Sequence, residues 1–201
     1  MKKFLKVFCF WFLSCTWGIV MTSIGLLTSL VFIIIGRKPK KFGYSFYFEV
    51  GENWGGVSMG PVFFIGRDEG LESKQHEAGH GIQNTWFGPL FPILIGIPSA
   101  IRYWLREQET LEKKYNFSII ISIIPEIIGA VILTIISFLQ VYTTLNTIFF
   151  IFGLVVFVYF SCISLWLIEI EVPQYGVTSP DYDSIWFEGL ATRLGAMRFQ
   201  R

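Results

Sequence analysis

The chain has 201 residues, of which 53% are hydrophobic, 18% are aromatic and only 15% are charged. Soluble domains carry about a quarter of charged residues, so this composition excludes an ordinary soluble protein and predicts one embedded in a lipid bilayer. The net charge of +1 gives no indication of nucleic-acid binding, and no stretch combines basic with aromatic residues as nucleic-acid-binding segments do.

The first apolar segment runs from Phe4 to Ile35 and is interrupted only by Lys6 and small polar residues. It is too long for the apolar part of a signal peptide, so residues 1–35 are predicted to form a retained transmembrane helix. Because about 20 apolar residues cross a bilayer, a helix of this length must tilt, or bend near Trp17–Gly18 or Gly25.

Residues 42–66 differ in character from the segments on either side. Two runs of aromatic and β-branched residues, 44–50 and 62–65, flank the glycine-rich segment 51–56. This pattern predicts a β-hairpin or a small sheet in which glycines form the turn.

The next segment, 71–86, is predicted to be a helix that carries His76-Glu77-Ala78-Gly79-His80, and it contains the only two histidines of the chain. Residues four apart share a helix face, so His76 and His80 can bind one metal ion while Glu77 reaches a water molecule on it. This is the HExxH arrangement of zinc metallopeptidases. The alternative is a chance occurrence on a surface helix. If the motif is functional, the neighbouring strands can serve either as an edge that receives a peptide substrate or as a purely structural sheet.

Residues 86–101 are apolar but contain several glycines and prolines, which makes them a poor spanning helix. Irregular backbone is tolerated at membrane depth only where protein or water shields it, so we predict a re-entrant or interfacial segment. The charged residues 102–114 are predicted to be amphipathic.

Two spanning helices are predicted at about 117–139 and 145–168, and the short link between them requires an antiparallel hairpin. Glu126 is an ionisable residue within this hairpin. Such residues are often functional in membranes, but Glu126 is also compatible with a place near a helix end that reaches the interface.

The polar C-terminal part is predicted to contain a helix at 180–196, with a Ser or Asp near Pro180 as its N-cap and Gly195 as its end. A catalytic zinc usually has three protein ligands. Gln83 and Trp86 occupy positions where metzincins place further ligands, so the third ligand is expected to be a glutamate from a later helix. Glu188, Glu169 and Glu171 are the candidates.

Of the 16 Lys and Arg residues, 13 fall in segments that this topology places on one side of the membrane, and the positive-inside rule makes that side cytoplasmic. The three N-terminal lysines disagree with this unless the first segment bends.

The three cysteines Cys9, Cys15 and Cys162 lie in apolar runs and are interpreted as small hydrophobic residues, not as disulfide partners.

Several segments together resemble a group of small bacterial membrane proteins whose substrate is not established. They are Asn53-Trp54-Gly55-Gly56, His76 to Asn84, Phe87-Gly88-Pro89, Ile97 to Trp104 and Asp181 to Gly189. At the level of the site, the chain looks like the gluzincin-type membrane zinc metallopeptidases. This resemblance implies zinc as the cofactor and Glu188 as its third ligand, because Glu188 and Ala191 match a frequent Glu-x-x-Ala-Asp pattern. Thr192 replaces the aspartate of that pattern. The hairpin at 117–168 looks like an insertion relative to that group.

The sequence therefore predicts a single, mainly helical membrane domain over residues 1–201, with about three transmembrane helices. Its expected function is that of a zinc endopeptidase acting on membrane proteins or peptides near the cytoplasmic face, with Glu77 as the catalytic base. Tyr182 and Arg193 are candidates for oxyanion stabilisation, and Thr192 for a partner of a metal ligand. The alternatives are a non-catalytic scaffold or metal-binding protein, and a transport path that uses Glu126.

Overall fold

The computed structural model describes residues 2–52, 55–139 and 144–199. It is mainly helical with one small sheet, and the described residues form two compact units. One unit combines residues up to Ser99 with those from Asp181 onward, and the other covers Ala100–Pro180. The prediction of a single domain stays a prediction.

The first apolar segment is two helices, α1 (Lys2–Cys15) and α2 (Ile19–Ile34), bent by 95° at the break between them. The bend falls at the predicted Trp17–Gly18 position. It is fixed by the Thr22 hydroxyl, which donates to the carbonyl of Ser14 (2.7 Å), and by the Asn84 amide, which donates to the carbonyl of Gly18 (3.3 Å). One straight spanning helix over residues 1–35 is therefore the wrong description of this segment.

The sheet has four short strands, β1 (Lys40–Phe42), β2 (Ser45–Glu49), β3 (Gly56–Met59) and β4 (Val62–Ile65), in the order β1-β2-β4-β3. The two predicted strand regions correspond to β2 and β4, but they pair in parallel and do not form a hairpin. The antiparallel pairs are β1 with β2 and β3 with β4. Gly43 (φ 58°) and Gly60 (φ 70°) form the two tight turns, in a conformation that glycine adopts readily. Asn53 and Trp54 lie outside the described residues.

Helix α3 packs on this sheet and helix α8 packs on α3, and the two helices carry the predicted site. Helix α3 (Leu71–Phe87) matches the predicted HExxH helix closely. Helix α8 (Trp186–Arg198) begins later than predicted, and its N-cap is Ile185 without a side-chain cap, so neither Ser nor Asp near Pro180 caps it. A buried core joins α1, the sheet, α3 and α8; its members are Phe10, Tyr47, Phe63, Ile65, Ala78, Ile82, Leu194 and Phe199.

Residues 88–106 are helical throughout, but irregular at first. A 3₁₀ turn (Gly88–Leu90) and a π-helical turn (Pro92–Gly96) precede helix α4 (Ile97–Arg106). The side chains of Phe91 and Ile95 are buried, together with Phe187. The predicted break in regular helix is thus present, while its place in a membrane stays a prediction.

The second unit contains a helical hairpin of α5 (Leu111–Leu139) and α6 (Thr144–Leu165), and α6 continues through a π-helical turn (Trp166–Glu171) into α7 (Val172–Gln174). The hairpin is antiparallel, because Glu126 meets Ser161 and the more distal Gly129 approaches Phe157 and Gly153. The link at residues 140–143 lies outside the described residues. Glu126 is near the middle of α5, so the expectation that it lies near a helix end is wrong.

Two helical stretches, Leu111–Phe138 and Thr144–Gln174, are long and apolar enough to cross a membrane. Counting the bent pair α1–α2 as one span gives up to three among the described residues. These features indicate a membrane protein.

Candidate metal centre

Helices α3 and α8 approach each other closely at two glycines. A Cβ atom on Gly79 would collide with the backbone of Ala191, and one on Gly195 would collide with the backbone of Gln75. Gly195 therefore does not end α8 as predicted; it lies within the helix and permits the close contact. This contact brings the side chain of Glu188 to the histidine face of α3.

The Nε2 atoms of His76 and His80 and the Oε2 atom of Glu188 form a nearly equilateral triangle. The two nitrogens are 3.1 Å apart, and each lies 3.1 Å from Oε2. Glu188 is fully buried and His80 is nearly so, while the His76 side chain retains 13% exposure. The three groups predicted to be ligands therefore converge on one point.

The outer nitrogens of both imidazoles also have partners. Nδ1 of His76 is 2.8 Å from the hydroxyl oxygen of Thr192, which in turn donates a hydrogen bond to Asp183 (3.0 Å). Nδ1 of His80 is 2.7 Å from Oε1 of Gln83, whose amide donates to the carbonyl of Phe187 (2.7 Å). A contact at its Nδ1 atom thus helps to fix the orientation of each imidazole ring.

His80 and Glu188 each shift the pKa of the other. Burial by itself lowers the pKa of His80, but the hydrogen bond to Glu188 and the charge of Glu188 outweigh it and raise the pKa to about 9. Burial by itself raises the pKa of Glu188, and the hydrogen bonds from His76 and His80 outweigh it, so the pKa falls well below its ordinary value. Without a metal ion, a positive charge on His80 therefore stabilises the carboxylate.

Glu77 is buried beside the cluster and is not one of its three converging groups. Burial raises its pKa, and positive charge on His80 and His76 offsets this only in part. Its Oε2 atom is buried and has no hydrogen-bond partner among the described residues. Gly56 of strand β3 packs against its carboxylate, since a Cβ there would lie 2.7 Å from Oε1. Glu77 is thus a carboxylate with an oxygen available to a proton donor.

The three converging groups can hold a metal ion. Two imidazole nitrogens and one carboxylate oxygen are ligands of divalent transition metals. A tetrahedral ion with bonds of about 2.0–2.2 Å separates its ligand atoms by about 3.4 Å, close to the 3.1 Å observed here. The fit concerns a metal ion in general and does not select zinc.

The other candidate residues lie around or away from this cluster. The Tyr182 ring packs edge-on against His76, with centroids 5.6 Å apart. Arg193 is exposed, and its Nε donates to the carbonyl of Gly189. Of the competing acids, Glu171 is buried in an ion pair with Arg102 (2.7 Å) and Glu169 is exposed. Oxyanion roles for Tyr182 and Arg193 stay predictions.

Sequence reasoning did not identify Gln83 and Asp183 as part of the site. Gln83 follows His80 by three residues on the same helix, a spacing that could have indicated contact. Asp183 had no such signal, because its contact with Thr192 depends on the turn that precedes α8.

No protein-family model matches the chain, and no curated protein or solved structure matches it either.

Proposed function

We propose that the protein is a membrane-embedded zinc metallopeptidase. The observation that carries this proposal is the convergence of His76, His80 and Glu188 around one point, with the carboxylate of Glu77 buried next to it. A HExxH helix joined by a glutamate from a later helix is the ligand pattern that gluzincin-type peptidases share. The convergence of these side chains supports the proposal without testing the resemblance itself.

Zinc is the metal we assign to this site. Two neutral imidazoles and one carboxylate are the ligand set of several catalytic zinc sites, in which a further position remains for water. Bound zinc would lower the pKa of such a water molecule and polarise a substrate carbonyl.

In this proposal, Glu77 moves the proton. Its carboxylate accepts a proton from the attacking water and then gives it to the leaving amine of the cleaved peptide. Both its raised pKa and its unpartnered Oε2 suit a group that alternates between the charged and neutral forms.

Strand β3 is the proposed docking edge for an extended substrate. It has only one neighbour, β4, in the described sheet, and Gly56 at its start contacts Glu77. An added strand along this edge would pass close to the base. The lack of a side chain at Gly56 leaves room for the carboxylate of Glu77 next to this edge.

The substrates we expect are membrane proteins or peptides near the cytoplasmic face. The apolar helices α5 and α6 would anchor the chain in the bilayer, and the clustering of Lys and Arg residues outside the apolar segments favours a cytoplasmic site.

Metal analysis of the detergent-purified full chain tests the site itself. We expect one zinc per wild-type chain. Glu188→Ala should weaken zinc binding by more than about 100-fold, because even residues behind metal ligands contribute about 10- to 100-fold. Glu169→Ala is the matched control, since Glu169 is a candidate acid that is exposed and outside the cluster.

Full zinc content in the Glu188→Ala protein would remove Glu188 from the site. Zinc in the wild-type protein without cleavage of a library of short quenched peptides would favour the non-catalytic alternative.

A further inference from the structure

The two imidazole rings of the cluster each have a second nitrogen, Nδ1, that faces away from the triangle. The partners of these nitrogens decide which nitrogen of each ring carries the proton, because a neutral imidazole has one N–H donor and one acceptor nitrogen. Each of their hydrogen-bond chains can be followed to an end at which the acceptor is unambiguous.

For His76, the chain ends at a carboxylate. A carboxylate accepts hydrogen bonds, and the side chain of Asp183 is 46% exposed. The hydroxyl proton of Thr192 is therefore directed to Asp183, at 3.0 Å. The hydroxyl oxygen then has only lone pairs for His76, at 2.8 Å. It follows that Nδ1 of His76 carries a proton and donates it to Thr192.

For His80, the chain ends at a backbone carbonyl. The carbonyl of Phe187 can only accept, so the NH₂ group of Gln83 faces it, at 2.7 Å. The amide oxygen of Gln83 is then the atom that faces His80, at 2.7 Å. Gln83 is fully buried, so no water competes for this contact. Nδ1 of His80 therefore also carries a proton.

The consequence is that both Nε2 atoms of the neutral rings present lone pairs to the interior of the triangle. There they face each other and the Glu188 oxygen at 3.1 Å. Three acceptors at this distance repel one another unless a cation or an added proton lies among them. The hydrogen bonds at the two Nδ1 atoms thus leave lone pairs on both Nε2 atoms, which favour a cation between them.

We infer that Asp183, acting through Thr192, and Gln83 are positioning residues that hold both imidazoles with the proton on Nδ1 and Nε2 directed at the metal. This inference deepens the proposed function and rests on it for the place of the metal. In the Glu-x-x-Ala-Asp pattern, the aspartate would lie at position 192. Here Thr192 accepts the hydrogen bond from His76 in its place, and Asp183, from the turn before α8, supplies a carboxylate next to Thr192.

Nitrogen-15 NMR on histidine-labelled, detergent-purified full chain tests this directly. The chain has only two histidines, so every imidazole signal belongs to His76 or His80. We expect a proton on Nδ1 of both rings in the metal-free protein, and the same after zinc is added, with Nε2 shifted by the metal.

Two variants separate positioning from general support of the fold. Thr192→Val keeps the shape of the side chain and removes the hydroxyl; it should change the signals of His76 and leave those of His80 in place. Gln83→Met should do the reverse. Each should weaken zinc binding by about 10- to 100-fold, and Thr192→Ser should restore the wild-type affinity and spectrum. Asp183→Asn should weaken zinc binding less than Thr192→Val, since an amide can still accept from the hydroxyl.

A proton on Nε2 of either ring in the zinc-loaded protein would overturn the inference. So would unchanged zinc affinity and unchanged His76 signals in Thr192→Val. Because the spectra and the affinity are measured without any substrate, a chain that binds zinc in this manner but cleaves no peptide would refute the peptidase proposal alone.

Discussion

The proposed role of Glu77 as the catalytic base can be tested separately from metal binding, because Glu77 lies beside the three converging groups without being one of them. Glu77→Gln keeps the size of the side chain and removes the base. We expect peptide cleavage to fall by about 10²–10⁴-fold, the usual contribution of a general base. Zinc content should stay at the wild-type level, since the ligands are unchanged.

Cleavage of a quenched peptide and zinc content, measured on the same preparation, check this prediction. Glu72→Gln is the control, because Glu72 is an exposed acid in the first turn of the same helix. Retained cleavage in Glu77→Gln would mean that another group takes the proton.

His80 makes the stability of the metal-free protein depend on pH. Its pKa is raised from 6.5 to about 9, mainly because the hydrogen bond to Glu188 and the charge of Glu188 outweigh burial. A raised pKa in the folded state stabilises the protein fully below about pH 6.5, and this contribution is lost as the pH rises towards 9. A shift of this size corresponds to about 3 kcal/mol, or a melting temperature lower by about 6–12 °C at pH 9.

Thermal melts in detergent at pH 6.5 and pH 9 measure this effect. His80→Asn should flatten the pH dependence, because the titrating ring is absent. Added zinc should reverse its sign, since metal binding requires deprotonated rings and strengthens as the pH rises. An equal loss of stability in His80→Asn would assign the dependence to other groups.

At this scale, the sequence predicted the three groups that converge and Thr192 beside His76, but it missed Gln83 and Asp183. The histidine pair was predictable because both residues lie on one helix, where a spacing of four fixes their relation. Glu188 required a comparison with a known ligand pattern. Asp183 was not predictable, because its place depends on the turn at Tyr182–Ser184 and on how α8 packs against α3.

At the scale of elements, the packing of α8 on α3 determines whether the site exists. Gly79→Ala or Gly195→Ala would place a methyl group against the backbone of the opposite helix, where neither helix can yield without moving away. We expect either change to separate the helices, to weaken zinc binding by at least about 10-fold and to destabilise the fold by about 1–3 kcal/mol, as overpacking does.

Zinc affinity and thermal melts check this, with Gly96→Ala as the control. Gly96 also lies in a helical segment of the same unit, but a Cβ there meets its nearest neighbour at an ordinary 3.8 Å. Wild-type zinc affinity in both Gly79→Ala and Gly195→Ala would show that close contact of the helices is not needed to bring Glu188 to the histidines.

Elements whose signal is local were predicted well, while those that depend on distant contacts were not. Helix α3 and the two apolar helices of the hairpin follow from periodicity and hydropathy. The strand regions were recognisable, but their parallel pairing was not, because it arises from the insertion of β3 between β2 and β4 in the chain. The bend at Gly18 was anticipated as an option, and its choice over Gly25 depends on Asn84 of a later helix.

At the scale of the whole molecule, the chain has two contrasting features: a surface of exposed apolar side chains and a buried cluster of polar side chains. Apolar side chains remain exposed along α5 and α6, whereas the cluster of His76, His80 and Glu188 is enclosed in the unit that contains the sheet. Exposed apolar surface on this scale is costly in water and neutral in lipid. The chain therefore combines an apolar surface that suits a bilayer with a polar cluster that is largely buried.

Cys162 tests the membrane assignment without any introduced label site. It is exposed on the fold and lies three residues from the centre of the Thr144–Gln174 stretch, or about 5 Å along a helix. The apolar core of a bilayer extends about 15 Å from its centre. In intact membranes, we therefore expect a water-soluble maleimide to leave Cys162 unlabelled, since its thiolate cannot form in lipid, and labelling should appear once the protein is denatured in detergent.

The protein for this test carries Cys9→Ser and Cys15→Ser, so that one thiol remains. A matched variant replaces Cys162 by Ser and adds Ser179→Cys, an exposed position beyond the end of the apolar stretch; it should label readily from the side that this end faces. If that side is the cytoplasmic one, labelling will occur in inverted vesicles and not in intact cells. Equal labelling of Cys162 and of the Ser179→Cys thiol in intact membranes would mean that Thr144–Gln174 lies in water, and the hairpin would then be an ordinary exposed surface in need of a protein partner.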